Sequence, residues 1–408
     1  MGLVLEGGGA KGSYQVGAWK ALKELGIEIN GVAGTSVGAL NGAMIVQGDF
    51  EKAYEIWSNI TPSSIIKIDD KLFEKIKNLD VTPDNIQIFI KNLKEILKNK
   101  GLDISPLRKL ISRHIFEDKV RNSGIDFGIV TVSISELKPL ELFLEDIPEG
   151  KLNDYLIASA SLPVFKLEKV DGKLFLDGGF FDNLPINLLV SRGYKDIIAI
   201  RLYGMGRNRK VNKKGLNITY INPSDNLGGT LDFTTERAQE NLNMGYFDTL
   251  RVLKRYKGKK YCIISNYKED YFLNLLLKID EKNVMDIANK LGLPESIPYR
   301  RLLLEKIIPK LTEILDLENT ATYEELVIAV LEKAASQSNI DRYRIYEFDK
   351  FFDEVMGNYQ PTGAGFSDRL PKILKNKDLV LKAVKPYLVG EILDILIAGM
   401  KPKSGGKN

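Results

Sequence analysis

The chain is poor in the residues that most often carry catalysis and cross-linking: its 408 residues include one cysteine and one histidine. A single cysteine, Cys262, excludes an internal disulfide and any cysteine-built metal cluster. Its setting, KKYCIIS, reads as a strand, where a buried structural thiol is expected. The lone histidine, His114, excludes mechanisms that need two, including the H-E-x-x-H zinc site. A Ser-His-Asp triad would have to use it. No run approaches the roughly 18 apolar residues of a membrane span. The apolar start, Gly2 to Leu5, is too short for a secretory core, and Glu6 stands where myristoylation needs Ser or Thr. A net charge of +4, from 58 basic and 54 acidic residues, is too mild to call for nucleic acid. A cytoplasmic protein is therefore expected, with any membrane contact peripheral.

What is present is an ordinary globular composition, 44% hydrophobic and 27% charged, able to bury a sizeable core. Gly2–Leu5 is a short apolar run ending at glycines, which suits a buried strand. Val16, Ala18, Trp19, Leu22 and Leu25 follow at helical spacing, and Gly26 stops the helix. A strand over 29–34 and a small-residue helix over 38–46 come next. Strand, helix, strand, helix in so short a stretch argues an α/β sandwich with a mainly parallel central sheet. Residues 50–122 read as a helical insertion that would serve as a lid, with Ile86, Phe89, Ile90, Leu93, Ile96 and Leu97 forming one apolar face. Strand signals return at 127–134, 140–144, 173–176 and 197–202, then a helix over 235–256 and a last strand over 261–265. Beyond that the periodicity is helical. A catalytic domain over 1–268 and a mostly helical region over 269–408 are expected, ending in a disordered tail over 401–408.

Two glycine clusters carry the chemistry. In G-G-G-A-K-G, Gly7 to Gly12, the spacing of Gly7, Gly9 and Gly12 satisfies a dinucleotide turn. The same turn can aim backbone N–H groups at a developing oxyanion. In G-T-S-V-G, Gly34 to Gly38, the pattern G-x-S-x-G has an apolar strand before it and a helix after it, the context of a nucleophile elbow. Ser36 would then stand at a helix N-terminus, where negative charge is favoured. Such a serine needs a base. His114 sits in a charged helical stretch and reads as an exposed or locally satisfied histidine. Asp177, in KLFLDGGFFDNLP, closes a strand where α/β sheets place their sites. By itself it reads rather as the start of a D-G turn.

Strand–G-G-G-A-K-G–helix, G-T-S-V-G, and A-S-A-S-L-P-V-F followed by D-G-G together resemble the patatin-like phospholipases, in order and spacing, over roughly residues 1–265. The resemblance implies a three-layer α/β sandwich and a Ser-Asp dyad. Ser36 would attack an acyl carbonyl, Asp177 would accept its proton, and Gly178 and Gly179 would complete the aspartate motif. Backbone N–H groups of Gly7, Gly8, Gly9, Ala10, Lys11 and Gly12 would form the oxyanion hole, with Gly34 and Gly38 shaping the elbow. No metal or organic cofactor is implied. The substrate would be a phospholipid, lysophospholipid or other acyl-ester lipid. Phe175, Leu176, Phe180 and Phe181 are expected to desolvate Asp177 and raise its pKa. Lys11 replaces the arginine usual in the family's loop, keeping the charge and losing the bidentate fork. A lysine facing solvent is the plain alternative there.

Two other readings compete. A nucleotide-binding enzyme needs an acidic residue about 20 positions beyond the glycines; Glu28 and Asn30 are the candidates, and neither closes an apolar strand. A catalytically silent scaffold of the same fold would be marked by loss of Ser36 or Asp177, and both are present. Arg207, Arg209, Lys210, Lys213 and Lys214, with Lys401 and Lys403 near the C-terminus, are candidate contacts to anionic lipid.

Overall fold

The computed structural model describes residues 1–67, 101–166, 169–294, 296–361, 363 and 378–400. The apolar face from Ile86 to Leu97 and the tail over 401–408 lie outside them. The chain divides into two compact units, Met1–Leu253 and Lys254–Asn408.

The first unit is built on β1 (Gly2–Leu5), β2 (Gly31–Thr35), β3 (Asp126–Ser133), β4 (Lys138–Phe143), β5 (Lys169–Val170), β6 (Lys173–Asp177), β7 (Asp196–Ile200) and β8 (Asn217–Ile221). They form one sheet in the order β5-β6-β3-β2-β1-β7-β8, with β4 also on β3. β1, β2, β3, β7 and β8 are parallel, while β4, β5 and β6 pair antiparallel. The central strands are uninterrupted apolar runs because both faces are covered. On one face Val4, Ala33 and Ala199 pack with Ile186, Leu188 and Leu189 of the Ile186–Ser191 helix. On the other, Leu5, Val32 and Phe127 meet Gly42 of α2 (Val37–Val46). Helices on both faces of a mostly parallel sheet make a three-layer α/β fold. α1 (Ser13–Glu24) begins directly after the glycine turn, and α2 directly after Ser36.

Within the expected insertion, α3 (Phe50–Ser58), α4 (Pro62–Ile65) and the Ser105–His114 and Glu117–Arg121 helices are present.

The second unit is mostly helical, around its own hydrophobic core, and holds a two-stranded parallel sheet of β9 (Cys262–Ile264) and β10 (Ile345–Glu347). The strand expected over 261–265 therefore exists, but it pairs inside this unit and not with the central sheet. The division accordingly falls after Leu253, ahead of the boundary expected at 268. Cys262 is buried, as its setting suggests. Among the described residues, no helix is long and apolar enough to cross a membrane.

Candidate active site

Register brings Ser36 and Asp177 together. On β3, Val130 pairs with Thr35 of β2, and the next residue, Thr131, pairs with Asp177 of β6. Ser36 follows Thr35, so the serine and the carboxylate meet across the end of β3. Gly178 packs into the same corner: a Cβ there would lie 2.1 Å from the Val130 carbonyl oxygen and 3.0 Å from Thr35 Cγ2.

Ser36 has φ 56° and ψ −127°, a backbone state that a residue with a Cβ rarely adopts. The turn is held in place by close contacts. A Cβ on Gly34 would stand 2.2 Å from the Gly38 carbonyl oxygen, and one on Gly38 would stand 2.3 Å from that of Leu5. Neither position admits a side chain. The Ser36 N–H donates to Ser159 Oγ at 3.0 Å, and Ser159 Oγ donates to the Val130 carbonyl at 2.7 Å. Ser159 thus pins the elbow to β3. It belongs to the A-S-A-S-L-P-V-F stretch, where sequence alone assigned it no role.

Asp177 is almost wholly buried. Burial pushes its carboxyl up from 3.8 to about 6, against Ser36 and the Gly179 N–H, which both favour the ionised form. Gly179 N–H donates to Oδ1 at 2.8 Å. Oδ2 is buried with no hydrogen-bond partner. The serine is thus near enough to influence the carboxylate without being bonded to it, a loose geometry common in sites before substrate arrives. Of the four flanking residues expected to desolvate it, one faces solvent. Phe175 is buried against Ala158 and Val170, but Phe180 turns outward and is 56% exposed.

The glycine turn lies against the elbow, for a Cβ on Gly7 would be 3.2 Å from Ser36 Cβ. Its N–H groups are not equivalent. Gly7 donates to Asn183 O at 3.0 Å, Ala10 to Thr230 O at 2.9 Å and Lys11 to Gly8 O at 3.3 Å. Gly8 and Gly9 have no backbone acceptor among the described residues. Lys11 is 7% exposed, so the solvent-facing alternative fails.

Glu6 precedes the turn and is fully buried, a residue to which sequence reasoning gave no role. Its carboxylate takes the Leu202 N–H at 2.5 Å, the Tyr203 N–H at 3.0 Å and Arg201 Nε at 3.0 Å. Asn183 adds a side-chain bond to the Gly7 carbonyl at 3.1 Å. Asp182, whose carboxyl burial also pushes up to about 6, accepts the Thr35 hydroxyl at its backbone carbonyl. The only available signal was position: Asp182 and Asn183 lie inside the quoted aspartate stretch, and Glu6 directly precedes the glycine turn.

An apolar pocket opens beside Ser36. Gly9, Ser36 and Leu40 line it with Leu107, Ile111 and Ile115 from the insertion, and Ile56, Trp57, Ile60 and Ile65 close the same wall. His114 lines it too. Partial burial, then Lys52 and Arg113, lowers its pKa. Among the described residues its side chain makes no hydrogen bond to Ser36 or Asp177, and its backbone carbonyl accepts Gln47 Nε2 at 2.7 Å. Among the described residues, no group of histidine, cysteine, aspartate and glutamate is arranged to hold a metal ion.

This arrangement, a serine at a strained turn, a desolvated carboxylate and an apolar pocket, suits nucleophilic attack on an apolar ester. The chain is also similar to known proteins. Patatin-like phospholipase domain-containing protein 7 of Rattus norvegicus is 30% identical over 48% of this chain and 13% of its own length. Neuropathy target esterase sws of Drosophila melanogaster is 30% identical over 49% of this chain and 13% of its own. The match thus spans about an eighth of these relatives. VipD from Legionella pneumophila superposes with a TM-score of 0.39 at 14% identity, over 100% of this chain and 92% of that one. That likeness is too low to carry an argument. The family description "Patatin-like phospholipase" matches residues 3–190, so this chain carries a patatin-like phospholipase domain.

Proposed function

We propose that the chain is a lipid acyl hydrolase of the phospholipase A or lysophospholipase type, working through a Ser36–Asp177 dyad and an acyl-enzyme. The observation that carries this reading is Ser36 at its strained elbow, across β3 from a buried Asp177 whose Oδ2 is unsatisfied. Ser36 Oγ forms a bond to the ester carbonyl carbon while its proton passes to Asp177 Oδ2. The carbonyl oxygen becomes an oxyanion, held by the N–H groups of Gly8 and Gly9 at the turn leading into α1. Of the six-residue donor set expected from the resemblance, Gly7, Ala10 and Lys11 spend their protons inside the protein, which supports Gly8 and Gly9 as the donors. Collapse expels the lysolipid or glycerol alcohol, which takes the proton from Asp177. Water then cleaves the acyl-enzyme by the same steps in reverse order. The fatty chain lies in the apolar pocket against Leu107 and Ile111.

The committed N–H groups also count against the nucleotide reading, since a pyrophosphate needs several free donors in one turn. A fluorophosphonate probe tests the proposal. The expected result is one adduct, on Ser36, absent from Ser36→Ala. Phospholipid cleavage that survives in Ser36→Ala would overturn it.

A further inference from the structure

We propose that the loop following β7, together with the turn after Asp177, forms a docking surface for an anionic lipid bilayer. This rests on the acyl-hydrolase reading and adds where the protein meets its substrate phase. Phe180, Tyr203 and Met205 are large apolar residues left 56%, 57% and 39% exposed. They belong to one construction, because the two turns are stitched together. Arg207 N–H donates to the Gly179 carbonyl at 2.8 Å, and Asn183 N–H donates to the Arg207 carbonyl at 2.7 Å.

The exposure of Tyr203 is enforced. Its φ is 47°, unfavourable for any residue with a Cβ, and the Glu6 carboxylate holds its N–H there. Arg201 lies beneath the ring at 4.7 Å, so the aromatic face is held away from the core. A strained backbone that turns an aromatic ring to solvent is a costly arrangement for a residue with nothing to bind.

Charge chooses the occupant. From Tyr203 to Leu216 the sequence has five cations, Arg207, Arg209, Lys210, Lys213 and Lys214, and no aspartate or glutamate. Arg209 is spent on Glu141. Arg207, Lys210, Lys213 and Lys214 make no ion pair among the described residues. Aromatic rings flanked by uncompensated cations match the interface of an anionic membrane, where rings enter the headgroup layer and cations meet phosphates. Asp177 lies three residues before Phe180, so the surface adjoins the reacting groups.

The test is flotation of the Ser36→Ala protein, which binds without hydrolysis, on vesicles of phosphatidylcholine and phosphatidylglycerol in equal parts. Lys213→Gln with Lys214→Gln should weaken partitioning roughly 30-fold, about fivefold per cation. Phe180→Ser with Tyr203→Ser should weaken it roughly tenfold. In the Ser36-intact chain, the lysine pair should leave cleavage of a soluble short-chain ester unchanged. Parent-like partitioning of both variants, or no binding by the parent, overturns the surface. So does lysine-dependent binding to polyaspartate without vesicle binding, which would assign an acidic polypeptide instead. Vesicle binding in a protein that cleaves no ester would overturn the hydrolase reading and leave the surface standing.

Discussion

The proposed base, Asp177, carries a stability cost at neutral pH. Burial raises its carboxyl from 3.8 to about 6, so the folded chain holds this proton more tightly than the unfolded one. The resulting stabilisation is complete below about pH 4 and is lost as pH rises through 6. At 1.36 kcal/mol per pKa unit, the penalty at neutral pH is about 3 kcal/mol. Asp177→Asn should therefore abolish hydrolysis while raising the melting temperature at pH 8, and the gain should shrink at pH 5. Calorimetry at the two pH values reads this directly; an unfolding midpoint lowered at pH 8 would contradict it. In the unaltered protein, kcat/KM should climb through a single ionisation near 6 and then level off, since only the carboxylate accepts the serine proton. His114→Ala should keep kcat on a short ester within a few-fold, and a thousandfold loss would restore the triad. Glu6 is the opposite case to Asp177. Removing the charge in Glu6→Gln leaves Arg201 and two backbone N–H groups facing a poor acceptor, and should lower stability by roughly 3 kcal/mol in urea denaturation.

At the scale of elements, the pocket proposed to hold the acyl chain is lined by both the sheet-end turns and the inserted helices. Ile111 stands on the Ser105–His114 helix against the cavity. Ile111→Trp should shift preference from long to short acyl chains in a p-nitrophenyl ester series, with kcat for the shortest ester retained. Equal losses at every chain length would show that the pocket does not hold the chain. What was legible in the sequence was local. β1, α1, the elbow and β6 announce themselves by apolar runs, helical spacing and glycines within a few residues of one another. What was not legible depended on partners distant in sequence. Ser159 matters because it reaches Ser36 and Val130, and Glu6 because it meets Leu202 and Tyr203. β8, a half-exposed strand after a basic loop, lacks the apolar run that marks β7. Phe180 was misplaced because a D-G-G turn leaves the direction of the following side chain open.

At the scale of the whole molecule, the position of β9 decides where the chain can be cut. Tyr261 and Ile263 belong to the core of the second unit. The buried Glu332 accepts the N–H groups of Lys259, Lys260 and Tyr261 at 2.7–2.8 Å. A fragment over 254–408 should unfold cooperatively. One over 269–408 loses β9 and leaves the Glu332 carboxylate buried without those donors, so its transition should be broad or absent. Circular dichroism melts of the two fragments distinguish this division from the later boundary that the sequence suggests. In the first unit, Glu6 has a mechanical meaning. It is bonded along the chain to Gly7 and through its carboxylate to the backbone of Tyr203, so a single residue links the glycine turn to the outermost ring of the neighbouring loop. Displacing the Tyr203 backbone therefore pulls directly on the residue that precedes the glycine turn.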